Sequence, residues 1–168
     1  MLNRFEFPCE IKRDSGGFYL AIFPDLPEAA TDGKTLEEAI AEAVDCLGEA
    51  LASRLVDGEP IPRPRRPKRG QWVLAPESTL ALKIGLNQAL EERGKTAADL
   101  ARLLDCDHKE ARRLLDPKAP SKAPRLTEAL AALGYGVELG IYDQSKRERV
   151  LSSPLARRAI ALRRGRAA

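Results

Sequence analysis

The chain has 168 residues, 43% of them apolar, which suits one ordinary domain or two small ones with a buried core. No apolar run approaches the roughly 18–20 residues of a membrane helix, and Met1–Arg4 leads into an alternating pattern rather than a secretion signal, so a cytoplasmic protein with no membrane contact is expected. The net charge of +3 is small, and Cys9, Cys46 and Cys106 stand too far apart for a disulfide framework or a clustered metal site.

That net charge conceals an asymmetry. Residues 1–60 hold 5 Lys/Arg against 13 Asp/Glu, a net of −8, residues 61–70 hold 5 against none, residues 71–150 hold 13 against 12, and residues 151–168 hold 5 against none. An acidic module repels nucleic acid and attracts a basic surface, while basic segments do the opposite. The chain is charged for two different partners.

Phe5, Phe7, Cys9 and Ile11 alternate with polar residues, the period-2 signature of a half-buried strand. Asp14-Ser15-Gly16-Gly17 supplies turn chemistry, and Phe18–Phe23 reads as the returning strand of a hairpin, its continuous apolar run implying burial on both faces. Pro24-Asp25-Leu26-Pro27 ends that strand, and Ala29–Thr31 is a short third. Thr35-Leu36-Glu37-Glu38 forms a capping box for a long helix whose apolar stripe includes Leu36, Ala39, Ile40, Ala43, Val44, Leu47, Leu51 and Leu55. The other face carries Glu37, Glu38, Glu42, Asp45 and Glu49, either a solvated face or part of a surface for a basic protein. Residues 60–70 are too rich in proline and like charge to pack and read as an extended connector, after which Trp72-Val73-Leu74 returns to the sheet.

The second half is helical. Thr79–Arg93 ends at Gly94, Thr96 caps a short helix to Leu104, and Asp105-Cys106-Asp107 turns into a third helix, His108–Leu115, closed by Asp116-Pro117. Leu100, Ala101, Leu104, Cys106, Ala111 and Leu114 recur where two helices crossing around a short turn must touch, which is helix-turn-helix spacing. Asp105 replaces the glycine usual in that turn, at modest cost because Asp tolerates the left-handed region. Asp107, His108, Lys109, Arg112 and Arg113 remain outward, so long donors on one face can reach guanine O6 and N7 in a major groove. Thr96 joins them as a candidate DNA contact, and Lys118, Ser121, Lys122 and Arg125 are placed to clamp phosphates. Leu126–Leu133 makes a fourth helix, and Val137–Tyr142 alternates like a strand that needs a partner, in a second copy or in its own domain. The tail beyond residue 143 is a disordered segment or a phosphate-contacting arm. The domains expected are 1–77, a partner-binding unit that includes the basic connector 60–70, then 78–143, a DNA-binding unit, then a basic tail, 144–168.

Phe18-Tyr19, the Phe23-Pro24-Asp25-Leu26-Pro27 run and the Thr31–Ala39 entry into the helix, followed by a helix-turn-helix, resemble the HicB-type antitoxins over roughly Phe5 to Tyr142. Glu28 stands where that family usually has glycine. The resemblance implies an α+β chain: a truncated RNase-H-like sheet with one helix, then a small all-α Cro-like domain. It implies a HicA-like toxin partner, small, basic and mRNA-cleaving, contacted by Tyr19, Phe23, Pro24, Asp25, Leu26, Pro27 and Asp32. It also implies double-stranded operator DNA as a second partner, and a homodimer or higher homo-oligomer. The carboxylates, including Asp25 and Asp32, form no recognisable catalytic set for metal-dependent cleavage, so no enzyme activity, cofactor or metal is expected. A plain transcriptional regulator whose N-terminal module binds something else is the alternative.

Overall fold

The hairpin pattern yields strands of the expected parity with shifted bounds. In the computed structural model, which describes residues 4–138 and 140, β1 (Phe7–Arg13) starts two residues late, with Phe7, Cys9 and Ile11 buried. Burial pushes the Cys9 thiol up to about 12, which makes it an unreactive core group. The Asp14 carboxylate accepts from Phe18 N at 2.9 Å, and Gly17 takes φ +89°, so the turn returns the chain into β2 (Tyr19–Phe23).

Burial of β2 on both faces is corrected. Ala21 and Phe23 are fully buried, but Leu20 and Ile22 are each 40% exposed, and Phe18 just before them is 39% exposed. The third strand is also longer than expected: β3 runs Leu26–Gly33 and includes Pro27. Proline is tolerated there because β3 lies at one edge of a four-stranded antiparallel sheet of order β3-β2-β1-β4, where β4 is Trp72–Leu74.

Helix α1 (Leu36–Asp57) begins as its capping box requires: Glu38 N donates to Thr35 Oγ1 at 3.1 Å. The Glu38 carboxylate accepts from Lys34 N at 2.8 Å, one residue before the cap. The start of α1 meets the sheet at Gly33, where an added Cβ would lie 2.4 Å from Ala39 N. Cys46 Sγ reaches the Ala30 carbonyl at 3.7 Å. Helix α1 thus lies on the face of Ala21 and Phe23, and Leu20 and Ile22 stand on the other. All five acidic residues named on α1 are exposed or half-buried at its surface.

The Pro-rich segment is no free connector. Asp25, its side chain only 3% exposed, accepts from Arg65 N at 2.9 Å and pairs with the Arg65 guanidinium, which also donates to Pro24 O at 2.7 Å. Like charge did not prevent packing, because an acidic turn receives it.

Residues 6–47 and 62–75 make up this compact unit; residues 4–5, 48–61 and 76–140 make up a second. In the second, α2 (Ser78–Glu92), α3 (Ala97–Leu103), α4 (His108–Leu115) and α5 (Ala123–Ala132) surround a core that includes Leu86, Leu90, Leu100, Ala111, Leu114, Leu126 and Leu130. Half of the strand expected at Val137–Tyr142 falls outside the described residues; Val137, Glu138 and Gly140 belong to no strand. The tail lies outside them entirely.

Candidate functional site

Two short helices with well-made N-termini build the candidate nucleic-acid face. Thr96 caps α3 in a reciprocal box: its hydroxyl accepts from Asp99 N at 3.3 Å, and Asp99 Oδ2 accepts from Thr96 N at 2.8 Å. The bond from Thr96 N, with a second from the Thr96 hydroxyl to Asp99 Oδ2 at 2.7 Å, holds the Asp99 carboxyl below the usual aspartate range. Asp105, at φ +48°, is the one described non-glycine residue with positive φ, and it occupies the turn position where glycine is usual. Asp107 then caps α4, accepting from Glu110 N at 2.7 Å.

Helix α4 is divided cleanly by its period. Ala111 and Leu114 are buried, at 0% and 3% exposure, while Asp107, His108, Lys109, Arg112 and Arg113 are exposed. Beside it lies an open groove of about 500 Å³ lined by Lys109, Arg113, Ser121, Lys122, Asp107 and Arg125, among others. Lys118 and Lys122 are exposed; Thr96 and Asp107 are exposed too, but their side chains serve as caps. Arg125 is not a free clamp. It pairs with Glu110 at 2.7 Å and Glu128 at 2.8 Å, and these hydrogen bonds raise its pKa further.

One buried charged side chain beside this face escaped the sequence reading. Lys83 in α2 is 1% exposed, and its Nζ donates to the carbonyls of Arg113 at 3.2 Å, Asp116 at 2.5 Å and Ala119 at 2.5 Å. Asn87, one turn further, donates to Leu115 O at 3.0 Å. Burial lowers the Lys83 pKa, and the Asp116 charge opposes that shift. Its place among Leu82, Ile84 and Leu86 was the available signal.

On the sheet unit the expected contact residues divide. Phe23 and Leu26 are fully buried and Asp25 is tied to Arg65, so these three form the frame of the Pro24–Leu26 turn. Pro27 and Asp32 are exposed, Pro24 is half-buried, and the half-buried Tyr19 ring lies 5.8 Å from the Arg13 guanidinium. The open face instead gathers Leu20 and Ile22 between Lys12 and Glu10 on β1 and Asp32 and Ala30 on β3, by register. Among the described residues there is no group of three or more His, Cys, Asp or Glu able to hold a metal, and no helix is long and apolar enough to cross a membrane.

Residues 6–85 match the family described as a HicB-like antitoxin of bacterial toxin-antitoxin systems. The chain is 36% identical to Antitoxin HicB 2 of Photorhabdus laumondii, over 83% of this chain and 98% of that protein. It is 32% identical to Antitoxin HicB of Pseudomonas fluorescens, over 82% and 94% respectively, and 29% identical to Antitoxin HicB of Escherichia coli K12, over 79% and 96%.

Proposed function

The chain belongs to the HicB-like antitoxin family of bacterial toxin-antitoxin systems, and on that premise we propose that it neutralises a small basic RNA-cleaving toxin of the HicA type and represses its own operon. In this reading residues 1–77 are a truncated RNase-H-like module that covers the toxin, and α3–α4 is a Cro-like helix-turn-helix within a DNA-binding unit, 78–143. Two copies present two α4 helices to an inverted repeat, and the protein carries no catalysis of its own.

The observation that carries the operator reading is the division of α4, with Ala111 and Leu114 sealing a core and Lys109, Arg112 and Arg113 on the exposed side. A row of long cationic donors on a helix anchored from behind is what major-groove readout requires. For the toxin, Leu20 and Ile22 offer an apolar centre with Glu10 and Asp32 beside it, and the carboxylates on the surface of α1 add a field that draws in a basic protein.

The test is to co-express the chain with the small basic protein encoded beside it, and to challenge the purified complex with the promoter fragment of the operon. Growth rescue and a retarded fragment support both halves. A chain that retards the fragment but neither binds nor neutralises its neighbour is a plain regulator.

A further inference from the structure

Lysine in a helix normally holds its ammonium in water, yet Lys83 is buried among the apolar residues of α2. What it meets there is matched to its chemistry. An ammonium has three donors and no acceptor, and three carbonyl oxygens, of Arg113, Asp116 and Ala119, receive them. Two belong to the last turn of α4 and the residue that caps it, where unpaired carbonyls and the negative end of the helix dipole favour a cation. The third lies beyond Pro117, so one side chain fastens both the end of α4 and the loop leaving it. Asn87 adds a second tie, to Leu115 O, and Ser121 Oγ closes back on Arg113 O at 3.3 Å.

Two lysines in the loop that follows this knot are exposed. Lys118 N donates to the Asp116 carboxylate at 2.9 Å, fixing the start of the loop, and Lys122 lines the same groove as Lys109 and Arg113 of α4. An apolar residue of similar length would fill the space at 83 without the desolvation a buried charge incurs, but would remove the one group that ties these three carbonyls together: Arg113 O would keep Ser121 Oγ and Asp116 O would keep Ala119 N, while Ala119 O would lose its ammonium donor. The ammonium is therefore suited to setting geometry more than to adding bulk stability.

We propose that Lys83 is a positioning residue for operator recognition, holding the base-reading face of α4 and the phosphate-contacting Lys118 and Lys122 in one fixed register. The inference rests on the operator-binding reading above. Lys83 does not touch DNA; it acts through Arg112 and the loop, so its signature is coupling rather than a lost contact.

The experiment measures binding of the full chain to the promoter fragment and to an unrelated duplex of equal length, for wild type, Lys83→Met, Asn87→Ala, Arg112→Ala and each double variant with Arg112→Ala. Circular dichroism checks that each is folded. Lys83→Met should weaken the promoter complex about tenfold or more and the unrelated duplex by about twofold or less. Arg112→Ala should cost about tenfold in the wild type and about twofold or less in the Lys83→Met background, because a displaced reader has little left to lose. Asn87→Ala should show the same pattern more weakly, and it decides the matter if Lys83→Met does not fold. Equal losses on both duplexes, or an undiminished Arg112 effect in the Lys83→Met background (or in the Asn87→Ala background where Lys83→Met unfolds the chain), overturn the proposal. If wild type does not prefer the promoter fragment, operator binding itself fails and takes this inference with it; if wild type prefers it and the Lys83 and Asn87 variants match wild type, only the inference falls.

Discussion

Asp25 and Arg65 lie 40 residues apart in sequence, yet the buried Asp25 carboxylate receives both the backbone N–H and the guanidinium of Arg65. The pair turns a basic, proline-rich run into a strap held against the Pro24–Leu26 turn. The Arg65 guanidinium is largely exposed, so the ion pair itself contributes little, but truncating the buried carboxylate leaves the Arg65 backbone N–H without its acceptor and the guanidinium with its bond to Pro24 O. Asp25→Ala should cost roughly 1–3 kcal/mol of unfolding free energy. It should also speed tryptic cleavage along the basic strap, measured by limited digestion. Unchanged cleavage would mean that the strap is held elsewhere.

Gly33 explains the glycine of the Thr31–Ala39 motif. A Cβ there would come within 2.4 Å of Ala39 N and 2.8 Å of Ala39 Cα, and backbone at a helix start does not give way. Gly33→Ala should destabilise the fold by about 1–3 kcal/mol, the usual cost of overpacking, with a matching fall in the thermal midpoint. Gly16→Ala, whose nearest neighbour would be the Asp14 carboxylate at 3.3 Å, should be milder.

Much of this was legible in the residues. Alternation located β1, the apolar run after the glycine turn located β2, the Thr35 box and the Thr96 cap located two helix starts, and the Asp105–Asp107 turn fell where its chemistry pointed. The misses have one cause. Local pattern reports periodicity but not which face receives a neighbour, so Leu20 and Ile22 read as buried although α1 lies on the opposite side. Phe23, Asp25 and Leu26, which the family resemblance implies as toxin contacts, belong to a motif whose side chains point inward, with Phe23 and Leu26 buried and Asp25 paired with Arg65. Lys83 and the Arg65 anchor depend on partners 30 to 40 residues away, which no window of sequence contains.

The α3 cap should be acid-labile. The Asp99 pKa is lowered on folding, so its hydrogen bonds stabilise α3 fully above the unfolded aspartate value and lose that contribution as pH falls through the lower folded value. Protection of the Asp99 and Thr96 amides, taken as the intrinsic exchange rate relative to the observed rate at each pH, should therefore fall on acidification below the ordinary aspartate range and stay flat from there to neutrality. Thr96→Val, which removes the hydroxyl that donates to the Asp99 carboxylate but keeps the backbone N–H, should make the acid limb shallower without abolishing it. A protection change centred near neutrality would point to another group.

Toxin binding should depend on the open sheet face. Leu20→Asp and Ile22→Asp place charge where solvent already reaches, so the fold should tolerate them while the dissociation rate rises by about tenfold or more, on the order of a lost apolar anchor. Neutralising Glu37, Glu42 and Glu49 on α1 should chiefly slow association and reduce its sensitivity to salt. Surface plasmon resonance against the toxin at two ionic strengths separates the effects. Leu20→Asp and Ile22→Asp binding as wild type would move the interface off this face.

Operator binding separates groups that read bases from groups that hold phosphates. Arg112 is exposed on α4 beside Lys109, one turn away, and Arg112→Ala should cost roughly 1–3 kcal/mol on the promoter site and relax preference at a single base pair. Lys122 lies in the loop before α5 and has no base to reach in this reading. Lys122→Ala should weaken promoter and unrelated DNA alike and lower the salt slope by about one phosphate contact. If two copies pair, their α4 helices reach successive major grooves, so the site should be an inverted repeat with half-site centres about 34 Å, or a multiple of that, apart. A salt series with wild type and both variants on the promoter fragment, with footprinting of the protected bases, measures all three quantities. An Arg112→Ala protein indistinguishable from wild type on that fragment would remove α4 as the reading helix, and base recognition would then have to come from another part of the chain.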